Sequence, residues 1–182
     1  LTSAEDVQVE YRIPAYHFNH HIYDNIVYNG FGKAKPETEL VYGPSIKDWP
    51  EMVSLTDNLL LKVASVIRDE VTTTDELIPS GETASYRSNP YKISEYTLIR
   101  KDPAYVGNAK AIQAYETARR NGDSKKAAEV YQVLKAAGIE TPVEELMKTT
   151  GIGSVLYAKR PGDGSAREYA ASCQKVLGGL AN

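Results

Sequence analysis

The stretch Gly153–Leu177, GSVLYAKRPGDGSAREYAASCQKVL, carries the clearest indication of the fold. Gly153–Lys159 has the length and apolar content of a buried strand, and Ser165 to about Leu177 repeats apolar side chains at helical spacing. Pro161-Gly-Asp-Gly164 supplies a turn between them. The segment therefore predicts strand, glycine-rich turn and helix, which is half of a βαβ unit. Gly178-Gly179 ends the helix, and we expect the chain to stop before a returning strand.

A second strand is predicted at Asn58–Arg68, NLLLKVASVIR, where both alternating faces are largely apolar. Such a composition is typical of a covered interior strand in a parallel sheet. Three helices are predicted between the strands: Asp102-Pro103 to Asn121-Gly122, Ser124 to Gly138, and a short helix starting at the capping box Thr141-Pro-Val-Glu144. We interpret this block, about residues 103–150, as a helical insertion or docking element. The predicted fold class is α/β.

The first fifty residues differ from the rest, because they contain many tyrosines, all three histidines and several prolines. We predict that residues 1–50 form an extended interdomain linker and that residues 51–182 form the domain. His17, His20 and His21 have no accompanying acid or cysteine cluster in this interpretation. We therefore expect no metal site there.

Composition excludes several functional classes. The chain has 182 residues, with 21 basic and 24 acidic side chains and a net charge of −3. No basic stripe favours nucleic acid, and no apolar run has the length of a membrane span. The one cysteine, Cys173, cannot form an internal disulfide or a metal cluster alone, and its place on an apolar helix face indicates core packing. We expect a cytoplasmic protein without a signal peptide.

Two regions are candidates for chemistry. In Gly162–Glu168 a serine, Ser165, lies at a predicted helix N-terminus, where free N–H groups and Arg167 favour an anion. The alternative is that Ser165-x-x-Glu168 is only a capping box. In the long polar stretch Asp69–Pro90, Arg87 could bind a carboxylate in bidentate fashion. The alternative interpretation is that Arg87 is an ordinary surface arginine surrounded by solvent.

Several motifs together resemble the C-terminal swivel domain of the aconitase superfamily. VTTTDELIPSG at 71–81 resembles the family's TTD segment, and GDGSARE at 162–168 resembles its glycine-serine-serine-arginine-glutamate turn. Leu177-Gly-Gly also fits, and YGPSIK at 42–47 with TDNLL at 56–60 resembles the linker that leads into this domain. The resemblance covers most of residues 40–100 and 150–182. It implies the swivelling β/β/α fold with a partly parallel sheet, cut before its last strands.

The resemblance also implies roles for single residues. Ser165 matches the family's catalytic base, while Arg167 and Arg87 match the two arginines that bind substrate carboxylates. Ala166 replaces a second serine, so only its backbone N–H remains for the substrate, and Glu76 replaces a histidine. Asp75 and Gly164 are implied as supporting residues of the two motifs.

The implied activity is that of a hydro-lyase, which reversibly dehydrates a hydroxy di- or tricarboxylic acid such as citrate or isocitrate. The family's cofactor is a 4Fe–4S cluster held by three cysteines in other domains, so those domains and a small carboxylic acid are the implied partners. Two alternatives remain open. One is a small subunit resembling that of 3-isopropylmalate dehydratase, and the other is a non-catalytic RNA-binding module.

Overall fold

A computed structural model of the protein describes residues 6–7, 12–26 and 30–182. The chain divides into two compact units, Leu1–Val41 and Tyr42–Asn182. The first unit contains one short helix in its described part, α1 (His21–Ile26). None of the helices in the described ranges has the length and apolar character needed to cross a bilayer.

The second unit contains five strands and six further helices in chain order. These are β1 (Asn58–Ile67), β2 (Thr72–Thr73), α2 (Thr74–Leu77), α3 (Pro90–Ser94), α4 (Tyr105–Arg120), α5 (Ser124–Ala136), α6 (Val143–Thr149), β3 (Thr150–Ala158), β4 (Pro161–Asp163), α7 (Arg167–Val176) and β5 (Gly179–Ala181). The main sheet has the order β1-β3-β5, and β2 pairs with β4 in a second, two-stranded sheet. Every one of these pairs is parallel, which confirms the α/β class.

The βαβ unit is complete, because β5 follows α7 and pairs in parallel with β3. The expectation that the chain stops before a returning strand is therefore wrong. Gly178, at φ +81°, turns the chain out of the helix. Gly153 leaves the space that Leu180 occupies, since a Cβ on Gly153 would lie 2.5 Å from Leu180 Cγ. Three residues are too short to show the alternation by which a strand is predicted.

Strand β1 forms as predicted, but it lies at the edge of the main sheet and not in its interior. Its side chains from Asn58 to Val63 are mostly exposed, with Val63 at 55%. Burial is confined to Ala64, Ser65 and Ile67. An apolar composition on both faces therefore does not guarantee that both faces are covered.

The three predicted helices are present, but the N-terminal caps predicted for two of them, α4 and α6, are wrong. The N-cap of α4 is Ala104, because Asp102 caps the preceding turn by accepting the Ala104 N–H at 3.1 Å. The other Asp102 oxygen accepts the Ser65 hydroxyl of β1 at 2.6 Å. Helix α6 follows Pro142 with no side-chain cap, so the predicted capping box does not form.

Helix α4 packs directly against the main sheet. Its residues Tyr105, Ala109 and Ile112 are buried in the core between the helix and the strands. Glu116 Oε2 accepts the Ile152 N–H of β3 and the Arg119 Nε–H, both at 2.8 Å. This nearly buried ion pair fixes α4 against the central strand.

Candidate functional site

The two candidate motifs meet beyond the carboxyl ends of β1 and β3. Parallel strands end at the same edge of a sheet, so the segments that follow them lie close together, and ligands of open α/β sheets bind at this edge. Strand β2 pairs with β4, with Thr72 opposite Pro161 and Thr73 opposite Asp163. The Thr72 N–H also donates to the Arg160 carbonyl at 3.0 Å. The TTD segment and the GDGSARE turn are thereby joined.

Gly164 lies directly against the TTD segment. Its φ is +131°, and a Cβ at this position would lie 2.2 Å from Thr74 Oγ1. A side chain is therefore excluded both by the backbone conformation and by the neighbouring threonine. This close approach explains why the turn carries a glycine next to Ser165.

The TTD segment is not an irregular loop, since it forms β2 and the short helix α2. Thr73 and Glu76 form a capping box: Thr73 Oγ1 accepts the Glu76 N–H at 3.1 Å, and Glu76 Oε2 accepts the Thr73 N–H at 2.8 Å. The Thr73 N–H and then Lys101 hold the pKa of Glu76 below its ordinary value. This role of Thr73 and Glu76 was not predicted, although Thr73-x-x-Glu76 has the sequence spacing of a capping box.

Asp75 organises the loop that follows α2. One carboxylate oxygen accepts the backbone N–H and the hydroxyl of Ser80, at 3.0 and 3.2 Å. The other oxygen accepts a hydrogen bond from Arg100 at 2.9 Å, and Arg100 also pairs with Glu82. With both oxygens engaged, Asp75 can position Ser80 and its neighbours.

Ser165 does not cap the helix that follows it. Helix α7 starts at Arg167, its N-cap residue is Ala166, and no side chain caps it. The capping-box alternative for Ser165 and Glu168 is therefore wrong. Ser165 is exposed, and its hydroxyl has no hydrogen-bond partner within the described ranges. The hydroxyl and the first-turn N–H groups of α7 are consequently available to a ligand.

Arg167 occupies the first position of α7. Its Nε–H donates to the Gly164 carbonyl at 2.9 Å, which leaves the rest of the guanidinium free of any carboxylate in the described chain. The side chain lines two neighbouring clefts. One lies along Arg160–Asp163 with Val71, and the other lies over Leu77, Ala170 and Gln174.

Arg87 reaches the same helix at a different residue. Its guanidinium carbon lies 5.9 Å from the centre of the Tyr169 ring, and Nη2 donates to the Ser80 carbonyl at 3.3 Å. Arg87 has no carboxylate partner in the described ranges, but it does not line either of the clefts beside Arg167. The structure thus brings both arginines to the first turn of α7 without joining them in one cleft.

Cys173 lies in the core, as predicted, at 2% exposure. Burial raises the pKa of its thiol to about 12, against a hydrogen bond with Thr97 that acts in the opposite direction. Iron–sulfur clusters require thiolates. A single buried, protonated thiol does not fit a 4Fe–4S cluster.

A further, largely apolar cleft lies at the amino-terminal ends of β1 and β3, and no residue of either motif lines it. The segment from Pro50 to Thr56, helix α4 and the start of β3 line it. Its charged lining residues are Glu51, Glu116, Arg120 and Lys175, and Glu116 is already paired with Arg119.

No family model, no curated protein and no solved structure matches this chain.

Proposed function

We propose that this chain supplies the substrate-carboxylate site and the proton-accepting serine of an aconitase-like hydro-lyase, on a swivel-type domain. The observation that carries the proposal is the pairing of β2 with β4, which joins the TTD segment to the GDGSARE turn. Two motifs that resemble one family's site are distant in sequence and adjacent in space.

Carboxylate binding rests on Arg167, which lines the clefts beside the turn, and on Arg87, which would reach a second carboxylate of the same substrate from its place against Tyr169. Other cations near the TTD segment are neutralised by the protein itself: Arg100 pairs with Asp75 and Glu82, and Lys101 with Asp69 and Glu76. Arg167 and Arg87 have no such carboxylate partner in the described ranges. A guanidinium without a carboxylate partner in the protein can form bidentate, charge-assisted hydrogen bonds with the carboxylate of a ligand.

Proton transfer is assigned to Ser165. In the dehydration, the serine oxygen takes the proton from the carbon next to a bound carboxylate. The C–H electron pair becomes the new C=C bond, and the hydroxyl group leaves from the neighbouring carbon with a proton from an acid group that the partner domains would have to supply, so that water is released. Negative charge that develops in the carboxylate is stabilised by Arg167 and by the N–H groups of α7. The same positive groups favour the alkoxide form of Ser165 that can accept a proton.

The proposal limits this chain to binding and proton transfer. Because Cys173 does not fit the cluster, the 4Fe–4S cofactor implied by the resemblance belongs to the partner domains. The alanine at 166 leaves only its backbone N–H for the substrate. The substrate class implied by the resemblance, a hydroxy di- or tricarboxylic acid, would make fewer side-chain contacts with this chain than with a family member that has the second serine.

The test is Ser165→Ala in the complete enzyme. We expect kcat to fall about a thousandfold, within the range of general-base removal, while KM changes little because the arginines still hold the acid. Ser165→Asp should not restore the rate. Ser172→Ala is the matched control and should keep full activity, since Ser172 is a half-buried serine of the same helix whose hydroxyl donates only to Glu168. Near-normal turnover of Ser165→Ala would refute the assignment of the base.

A further inference from the structure

We propose that His20, His21 and Asp24 form a binding site for a late first-row divalent cation, with Zn²⁺ as the probe. The site lies in the first unit and is independent of the proposed hydro-lyase function. No acid beside the three histidines was predicted from the sequence. The structure corrects this, because α1 brings the Asp24 carboxylate to both rings.

The three ligand atoms already converge. His20 Nδ1 lies 2.6 Å and His21 Nδ1 lies 3.8 Å from the same oxygen, Asp24 Oδ2. One ligand atom from each residue lies within 4.8 Å of the others. Zinc bonds to histidine nitrogen and carboxylate oxygen are about 2.0–2.2 Å long, so ligands of one tetrahedral ion are separated by roughly 3.3 Å. To reach that separation, the His20–Asp24 distance of 2.6 Å would lengthen by about 0.7 Å and the His21–Asp24 distance of 3.8 Å would shorten by about 0.5 Å.

The local backbone supports this arrangement. Asp24 follows His20 by four residues and His21 by three, which are the spacings that face each other on a helix. The Asn19 side chain accepts the His21 N–H at 3.0 Å and so fixes the start of α1. The N–H groups of Tyr23 and Asp24 donate to the His20 carbonyl at 2.9 and 3.0 Å.

The donor set selects the class of ion. Two imidazoles and one carboxylate suit Zn²⁺, Ni²⁺, Co²⁺ and Cu²⁺, whereas Mg²⁺ and Ca²⁺ prefer oxygen ligands. The ion would replace the direct contact between His20 Nδ1 and Asp24 Oδ2. All three side chains are exposed, so a fourth position is open to water.

The experiment is a calorimetric titration of the full 182-residue chain with Zn²⁺, repeated with Co²⁺ by visible absorption. We expect one ion per chain, with a dissociation constant on the order of 10 µM. His20→Ala, His21→Ala and Asp24→Asn should each weaken binding at least about tenfold. His17→Ala is the matched control, since it removes a described histidine of the same segment outside the cluster, and it should leave binding unchanged.

Two results would overturn the proposal. One is the absence of saturable Zn²⁺ or Co²⁺ binding at concentrations up to about 1 mM. The other is binding that the three cluster variants leave unchanged, or that His17→Ala weakens as much as they do. Circular dichroism of each variant separates loss of a ligand from loss of structure.

Discussion

Thr73 and Asp163 are register partners in a parallel ladder, although five of the chain's helices lie between them in sequence. This pairing fixes the TTD segment beside the turn that carries Ser165. Any change that separates β2 from β4 should therefore disturb both motifs together, while leaving the main sheet intact.

Gly164→Ala should destabilise the protein by more than Gly162→Ala. Both glycines have positive φ, at +131° and +90°, but only at Gly164 would a Cβ meet a neighbour, Thr74. Backbone strain alone costs about 1–3 kcal/mol, and the contact with Thr74 adds to it. Urea denaturation of both variants and the wild type gives the change in the free energy of unfolding that tests this.

A double-mutant cycle isolates the contact between the two motifs. In a Thr74→Ala background the extra cost of Gly164→Ala should shrink, while the cost of Gly162→Ala should stay the same. Equal costs for the two glycine variants in both backgrounds would contradict the close approach of the TTD segment to the turn.

Glu76→Gln should lower stability at neutral pH by about 1 kcal/mol, the usual contribution of a capping interaction. The Thr73 N–H and Lys101 lower the pKa of Glu76 in the folded state from its ordinary value of 4.5. The ionised carboxylate therefore stabilises the fold above about pH 4.5, and this contribution is lost as the pH falls through the lowered folded-state pKa. Denaturation curves of the wild type and the variant should converge at acid pH.

Glu140→Gln is the control for this pH dependence, because Glu140 is exposed and has no hydrogen-bond partner within the described ranges. Its stability difference from the wild type should be small at every pH. A Glu76→Gln difference that persists undiminished to about pH 2 would show that the charge of Glu76 is not responsible.

Cys173 should resist alkylation in the folded protein. Burial raises the pKa of its thiol to about 12, and the thiolate is the reactive form. With iodoacetamide at about pH 8, we expect labelling at least about a hundredfold slower in buffer than in guanidinium chloride. Equal rates in the two solvents, measured by mass spectrometry, would place the thiol at the surface.

The sequence predicts the long elements of this fold well. The long elements have enough residues for their periodicity to be counted, and glycines mark where several of them end. They are strands β1 and β3 and helices α4, α5 and α7. Strands β2, β4 and β5 have two or three residues each, too few to show a pattern. Their existence depends on pairing with distant partners, such as Ser154 with Gly179.

The meeting of the two motifs could be predicted from the sequence, but the start of α7 and the contacts of single side chains could not. Segments that follow parallel strands meet at one edge, so the approach of the two motifs follows from strand order. Helix α7, however, starts only at Arg167, after Ser165, and a Ser-x-x-Glu pattern does not indicate that start. The contact of Arg87 with Tyr169 depends on the packing of the loop after Asp75.

Binding of citrate to the 182-residue chain tests the central claim most directly, with two-dimensional ¹H–¹⁵N NMR as the measurement. We expect saturable shifts of the amides from Gly162 to Tyr169, with a dissociation constant of about 1 mM, and no shifts with uncharged glycerol. Arg167→Gln and Arg87→Gln should each weaken binding about tenfold, whereas Arg120→Gln at the opposite edge of the sheet should not. Citrate that shifts no amide of this turn, or that binds the two arginine variants as tightly as the wild type, would contradict the carboxylate site.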